Sequence, residues 1–136
     1  DARILPLYEG TSEIQVGGVI TSILSRALEP LLTALMARCP GDPGLPEARW
    51  ILDRTIESLA AKRDKHLAQL YARQVVDSVI DVLGAVLLAL QGKASEAKTE
   101  AASLWLRRAL PRLRMRAEVV EAADPTVIER PETFLL

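Results

Sequence analysis

Between Asp64 and Leu90 apolar side chains recur at helical spacing, and toward the end of that run they leave almost no polar face. Leu67, Leu70, Tyr71, Val75, Ser78, Val79, Val82, Leu83, Val86 and Leu90 mark the face expected to be buried. Exposing such a surface costs about 25 cal/mol per Å², so a helix that is apolar nearly all round has to be enclosed by others. The stretch Val82 to Leu90 is far shorter than the roughly 20 apolar residues of a membrane span. Asp77, Asp81, Gln91 and Lys93 flank it, so a core helix is expected and no transmembrane segment. Gln91-Gly92 is expected to end the helix, with glycine as the left-handed cap.

Strand signals are weak: aromatic residues make up only 4% of the chain, and no Asn-Gly or Asp-Gly hairpin turn occurs. The rest of the sequence also carries the helical period. A first helix starts at Ser12, where Ser12 and Gln15 have the spacing of a capping box. Ile14, Ile20, Ile23, Leu24, Ala27, Leu28, Leu31, Leu32 and Leu35 give it an apolar face, and Gly17-Gly18 permits close approach of another backbone. Pro30 is expected to kink this helix. The run Cys39-Pro40-Gly41-Asp42-Pro43-Gly44 is the clearest internal break. A second helix is expected from Pro46 to Lys62, with Trp50, Ile51, Thr55, Ile56, Leu59 and Ala60 inward. A fourth should run from Ser95 to Ala122, with Ala102, Leu106, Ala109, Leu110, Leu113, Ala117 and Val120 inward and a bend at Pro111. Lys62 to His66 reads as a short turn or a solvated continuation of helix. Short loops between long helices predict an all-α, up-and-down four-helix bundle. The units read as 1–38, 46–123 and an extended tail, 124–136.

Charge and cysteine content narrow the function classes. Lys plus Arg is 17 against 18 for Asp plus Glu, which argues against sequence-independent nucleic-acid binding. The single cysteine, Cys39, excludes an internal disulfide and suits a reducing, cytoplasmic compartment. No signal-type apolar run follows the polar Asp-Ala-Arg start. No histidine lies near Cys39 in sequence, so a buried or helix-end thiol is expected. His66 should be exposed. Asp77 and Asp81 share a helix face; without further ligands they read as a polar seam rather than a metal site. Arg107, Arg108, Arg112, Arg114 and Arg116 fit either a phosphate, as in CoA or a lipid headgroup, or ion pairs with nearby glutamates. Trp50 and Trp105 read as core or interface anchors.

One stretch carries chemistry. Glu9 stands between Tyr8 and Gly10, a few residues before a helix start. Free N–H groups there can stabilise a developing enolate while a carboxylate takes the proton beside a carbonyl. Residue types alone leave open both this base and an ordinary surface glutamate.

The letters Asp1-Ala2-Arg3-Ile4-Leu5-Pro6-Leu7-Tyr8-Glu9-Gly10-Thr11-Ser12-Glu13-Ile14-Gln15 closely resemble the C-terminal signature of the flavin-dependent acyl-CoA dehydrogenases. The resemblance implies that Glu9 removes the α-proton of an acyl-CoA thioester while the β-hydrogen passes as hydride to FAD. It implies that Tyr8 and Gly10 line the substrate, and that Thr11, Ser12, Glu13 and Gln15 lie at the cofactor. An electron-transfer flavoprotein is the implied electron acceptor. Some members carry the base on another helix and lack a glutamate here; acyl-CoA oxidases and the alkylation-response branch differ in this motif. In the family, an N-terminal helical domain, a β-domain and most of a helical bundle precede the motif. The chain is therefore expected to be a C-terminal fragment, inactive alone. "VVDSVIDVLGAVLLAL" and "AKTEAASLWLRRALPRL" resemble helices of the extra C-terminal domain of longer bacterial members. The apolar Phe134-Leu135-Leu136 is expected to dock on a neighbouring subunit of a homo-oligomer. The rival expectation is a non-catalytic helical module that partners a separate flavoprotein.

Overall fold

The computed structural model describes residues 12–39, 41–130 and 132, with the backbone alone at 12–14 and 127. In order, the elements are α1 (Ser12–Leu24), α2 (Glu29–Met36), α3 (Gly44–Ala61), α4 (Lys65–Leu70), α5 (Ala72–Gly92), α6 (Glu96–Glu121) and the short turn α7 (Thr126–Glu129). Among the described residues there is no strand. The all-α expectation therefore holds for them.

The first predicted helix is two. Arg26 takes the left-handed conformation at φ 64°, its N–H bonds the Ile23 carbonyl at 3.0 Å, and the Ala27 N–H bonds the Ser22 carbonyl at 3.1 Å. This pair of bonds is a Schellman cap, which ends α1. The chain then turns by 78° into α2. Pro30 lies in the first turn of α2, where its missing N–H costs nothing, so it starts a helix rather than kinking one. The charged stretch after α3 is a turn. Arg63 is left-handed at φ 51°, and the Asp64 carboxylate caps α4 by accepting from His66 N–H at 2.8 Å and Leu67 N–H at 3.1 Å. The predicted third helix is interrupted at Tyr71, whose φ of −99° and ψ of 6° separate α4 from α5.

Gly92 is not a left-handed cap. The helix ends at this residue as expected, and a Cβ there would stand 2.7 Å from the Thr99 hydroxyl, which itself donates to the Gly92 carbonyl at 3.2 Å. Glycine here lets α6 start close against α5. Pro111 sits inside α6 without ending it. Residues 124–136, expected to be extended, include the helical turn α7, whose Ile128 packs on the core.

One core joins these helices. Ile20, Leu52, Leu59, Leu67, Val75, Val82, Val86, Leu113 and Val120 are fully buried. Contacts fix the directions. Thr99 meets Gly92, Trp105 meets Gly84 and Arg112 meets Asp81, so α5 and α6 run antiparallel. Ser103 bonds Asp42, Arg114 bonds Glu47 and Arg54 bonds Glu121, so α3 and α6 run parallel. Gly17 lies against the side chain of Gln69, not against another backbone. Trp50 is 60% exposed, not a core anchor, and Leu31 and Leu70 are each 50% exposed. Leu52, which the sequence pattern omitted, is fully enclosed.

The α1–α2 corner is tied to α3 by charge. Arg26 reaches Asp53 and Glu57, each at 3.1 Å, and Arg49 bonds Asp53 at 3.0 Å and Glu29 at closer range.

Candidate functional site

Tyr8, Glu9, Gly10 and Thr11 lie outside the described residues. Ser12 and Glu13 open α1, and their side chains are outside the description, as is the capping-box contact with Gln15. Gln15 is exposed on the first turn. It stands with Val16 and Val19 of α1 and Arg73, Val76, Asp77 and Ile80 of α5 around a groove of about 300 Å³. The first described turn of α1 therefore stands beside α5.

A line of charge runs from this groove into the α5–α6 interface. Arg73 Nε bonds both carboxylate oxygens of Asp77, at 3.0 and 3.1 Å. Arg116 stands 4.0 Å from Asp77 and donates to Asp81 at 2.6 Å. Arg112 holds the same Asp81 carboxylate by two bonds, at 2.6 and 3.2 Å. Asp81 is buried in the middle of α5, and its backbone carbonyl accepts the Trp105 indole N–H at 2.8 Å. Burial pushes the Asp81 carboxyl up, but the hydrogen bonds and charges of Arg112 and Arg116 outweigh it and hold it below the usual carboxylate range.

The expectation of a polar seam at Asp77 and Asp81 is met. Three of the five arginines in the basic cluster have ion-pair partners: Arg112 and Arg116 on α5, and Arg114 on Glu47. Arg107 and Arg108 are exposed. Pairing the two halves of this seam was within reach of the sequence. An aspartate inside an apolar run needs a cation, and Arg112 and Arg116 are four apart on the next helix.

His66 is exposed. Cys39 is half-buried, with its thiol near the Leu35 carbonyl at 3.5 Å and the Val86 carbonyl at 3.7 Å. Burial raises its pKa more than Lys93 and Arg38 lower it. Among the described residues no group of three or more His, Cys, Asp or Glu can hold a metal ion. One described helix, α5, is long and apolar enough to cross a membrane. No protein-family model, no curated protein and no solved structure matches the chain.

Proposed function

We propose that this chain is the C-terminal part of a flavin-dependent acyl-CoA dehydrogenase, with its long helices forming an up-and-down four-helix bundle. The observation that carries the reading is the unbroken resemblance from Asp1 to Gln15. The helical backbone from Ser12 onward and the exposed Gln15 support it. The N–H groups opening α1 and the Gln15 amide are donors of the kind that a flavin carbonyl or a phosphate requires, so the donor chemistry of the described residues fits FAD.

In this reading Glu9 takes the α-proton of the acyl thioester as a general base. Gly10 leaves room for the thioester, and Tyr8 lines the acyl pocket. Thr11, Ser12, Glu13 and Gln15 orient the cofactor. FAD supplies the hydride acceptor when bound in the complete enzyme, and the product is the trans-2-enoyl-CoA. An electron-transfer flavoprotein then receives the electrons. We read α5 as a core helix, because a doubly paired aspartate stands in its middle, and we assign the whole enzyme to the cytoplasm as a homo-oligomer.

The test uses the full protein encoded with its upstream sequence. Glu9→Gln keeps flavin absorbance and lowers acyl-CoA-dependent dye reduction by about 100-fold or more; normal turnover in that variant refutes the assignment. A second reading, a non-catalytic module that partners a separate flavoprotein, is favoured by the apolar residues left exposed on several helices, among them Val19, Ile80, Leu87 and Met115. A coding sequence that starts at this segment and contains no flavoprotein sequence selects that reading.

A further inference from the structure

We propose that the groove between α1 and the α3–α4 turn binds a single-chain amphiphile with an anionic head, a carboxylate or a phosphate. The groove encloses about 340 Å³, within the roughly 300–1,000 Å³ typical of small-molecule sites. Ile20 and Leu59, each 1% exposed, form its floor with Leu24, Ala60 and Ala68. The exposed Arg63, Lys65, Thr21 and Gln69 complete its lining.

The rim has a definite sign. Asp64 is the one carboxylate among the described lining residues, and it is already engaged, accepting the His66 and Leu67 N–H groups at the start of α4. Neither Arg63 nor Lys65 makes an ion pair among the described residues. Their neighbour Lys62 is different: its ammonium donates to the carbonyls of Ala123 at 2.9 Å and Glu121 at 3.3 Å and so pins the end of α6. Two unpaired cations beside an apolar floor are complementary to an anion carried on an alkyl chain.

Arg63 supplies an independent argument. Its φ of 51° is a conformation that glycine adopts freely and a long side chain does not. Turn geometry alone favours glycine at this position, and the arginine there keeps a cation beside the groove. An anionic ligand at the groove mouth explains it. The inference does not rest on the dehydrogenase reading, because its premises are the groove floor and the two rim cations alone.

The experiment is an NMR titration of the isotope-labelled 136-residue chain with octanoate, octyl phosphate and 1-octanol, all below micelle-forming concentrations. Saturable shifts are expected at Ile20, Leu24, Leu59, Ala60 and Ala68 with the anions. Octanol should bind about tenfold more weakly or worse, which corresponds to one lost charge contact of about 1.4 kcal/mol. Binding of only one anion supports the proposal and identifies the head. Arg63→Gly separates a binding role from a structural one: thermal stability should hold or rise, while octanoate affinity falls several-fold. Arg63→Gly with Lys65→Ala should weaken octanoate by about tenfold or more. Octanol binding as tightly as octanoate, unchanged affinity in the double variant, or no saturable shift overturns the proposal.

Discussion

Gly84→Ala pits helix propensity against packing. Replacing a glycine in a helix interior with alanine favours the helix by about 1 kcal/mol, and intrinsic propensity alone predicts a more stable protein. The structure predicts the opposite. A Cβ on Gly84 would lie 2.8 Å from Cζ2 and 3.0 Å from Cε2 of Trp105, closer than side chains tolerate. The indole is also held, because its N–H donates to the Asp81 carbonyl at 2.8 Å. To admit the methyl, the ring has to move away and loosen that bond. Overpacking costs about 1–3 kcal/mol and the lost hydrogen bond about 1 kcal/mol. Set against the propensity gain, the net loss is about 2 kcal/mol. At roughly 3–4 °C per kcal/mol for a chain of this size, Tm should fall by about 6–8 °C. Thermal unfolding followed by circular dichroism reads this directly. In a Trp105→Ala background the obstacle is gone, and Gly84→Ala should become stabilising, a reversal that a double-mutant cycle isolates. A rise in Tm for Gly84→Ala alone, or the same effect in both backgrounds, refutes the argument.

Other outcomes follow from the same contacts. Asp81→Asn should cost about 2–3 kcal/mol, below the 3–5 kcal/mol of a fully buried pair, because Arg112 is 43% exposed. The folded Asp81 pKa lies below its unfolded value, so its contribution is fully present above about pH 4 and is lost as pH falls through the lower folded value. Urea titrations across the acid range should accordingly show the wild-type and Asp81→Asn curves converging only at the acid end. Leu52→Ala, at a site with no exposure, should cost about 2–5 kcal/mol. Trp50→Ala should cost about 1 kcal/mol or less, since the ring is exposed and only its stacking beneath Arg54, 5.4 Å from the centroid, is lost. Cys39 should react with a disulfide reagent more slowly than a free thiol at neutral pH, because its pKa is raised and it is half-buried.

The helices are legible where apolar period and flanking breakers agree, as in α3 and α6, whereas the break at Tyr71 before α5 has no local signal. The end of α1 is harder, because it closes on a left-handed arginine rather than glycine or asparagine, while α3 ends at Ala61, close to the expected Lys62. Arg26 looks like an ordinary helix former, and nothing local marks it as a stop. The corner at Arg26 rests on long-range pairs with Asp53 and Glu57, which periodicity cannot see. Gly92 does end α5, but by a contact with Thr99 on the next helix rather than by a left-handed cap. Trp50 was misplaced for a related reason: its helical stripe edge faces Arg54 and solvent rather than the core. For the motif around Glu9 the letters themselves carry the reading, whereas of its residues the side-chain geometry reaches only Gln15.

The polar seam bears on why α5 packs in one way. A helix that is apolar almost all round can present several faces to its neighbours at similar cost, since burial energy has no direction. Asp81 removes that freedom. It can be buried only in the rotation that brings it to Arg112 and Arg116, and the Trp105 bond to its carbonyl fixes the axial position as well. Buried ion pairs contribute little net stability compared with apolar packing. The arginine pair at Asp81 therefore accounts better for the orientation of α5 than for the strength of its packing. Asp77, one turn earlier, extends the same constraint to the edge of the groove at Gln15. Through this seam the rotation of the central helix also sets which side chains of α5 stand beside the start of α1.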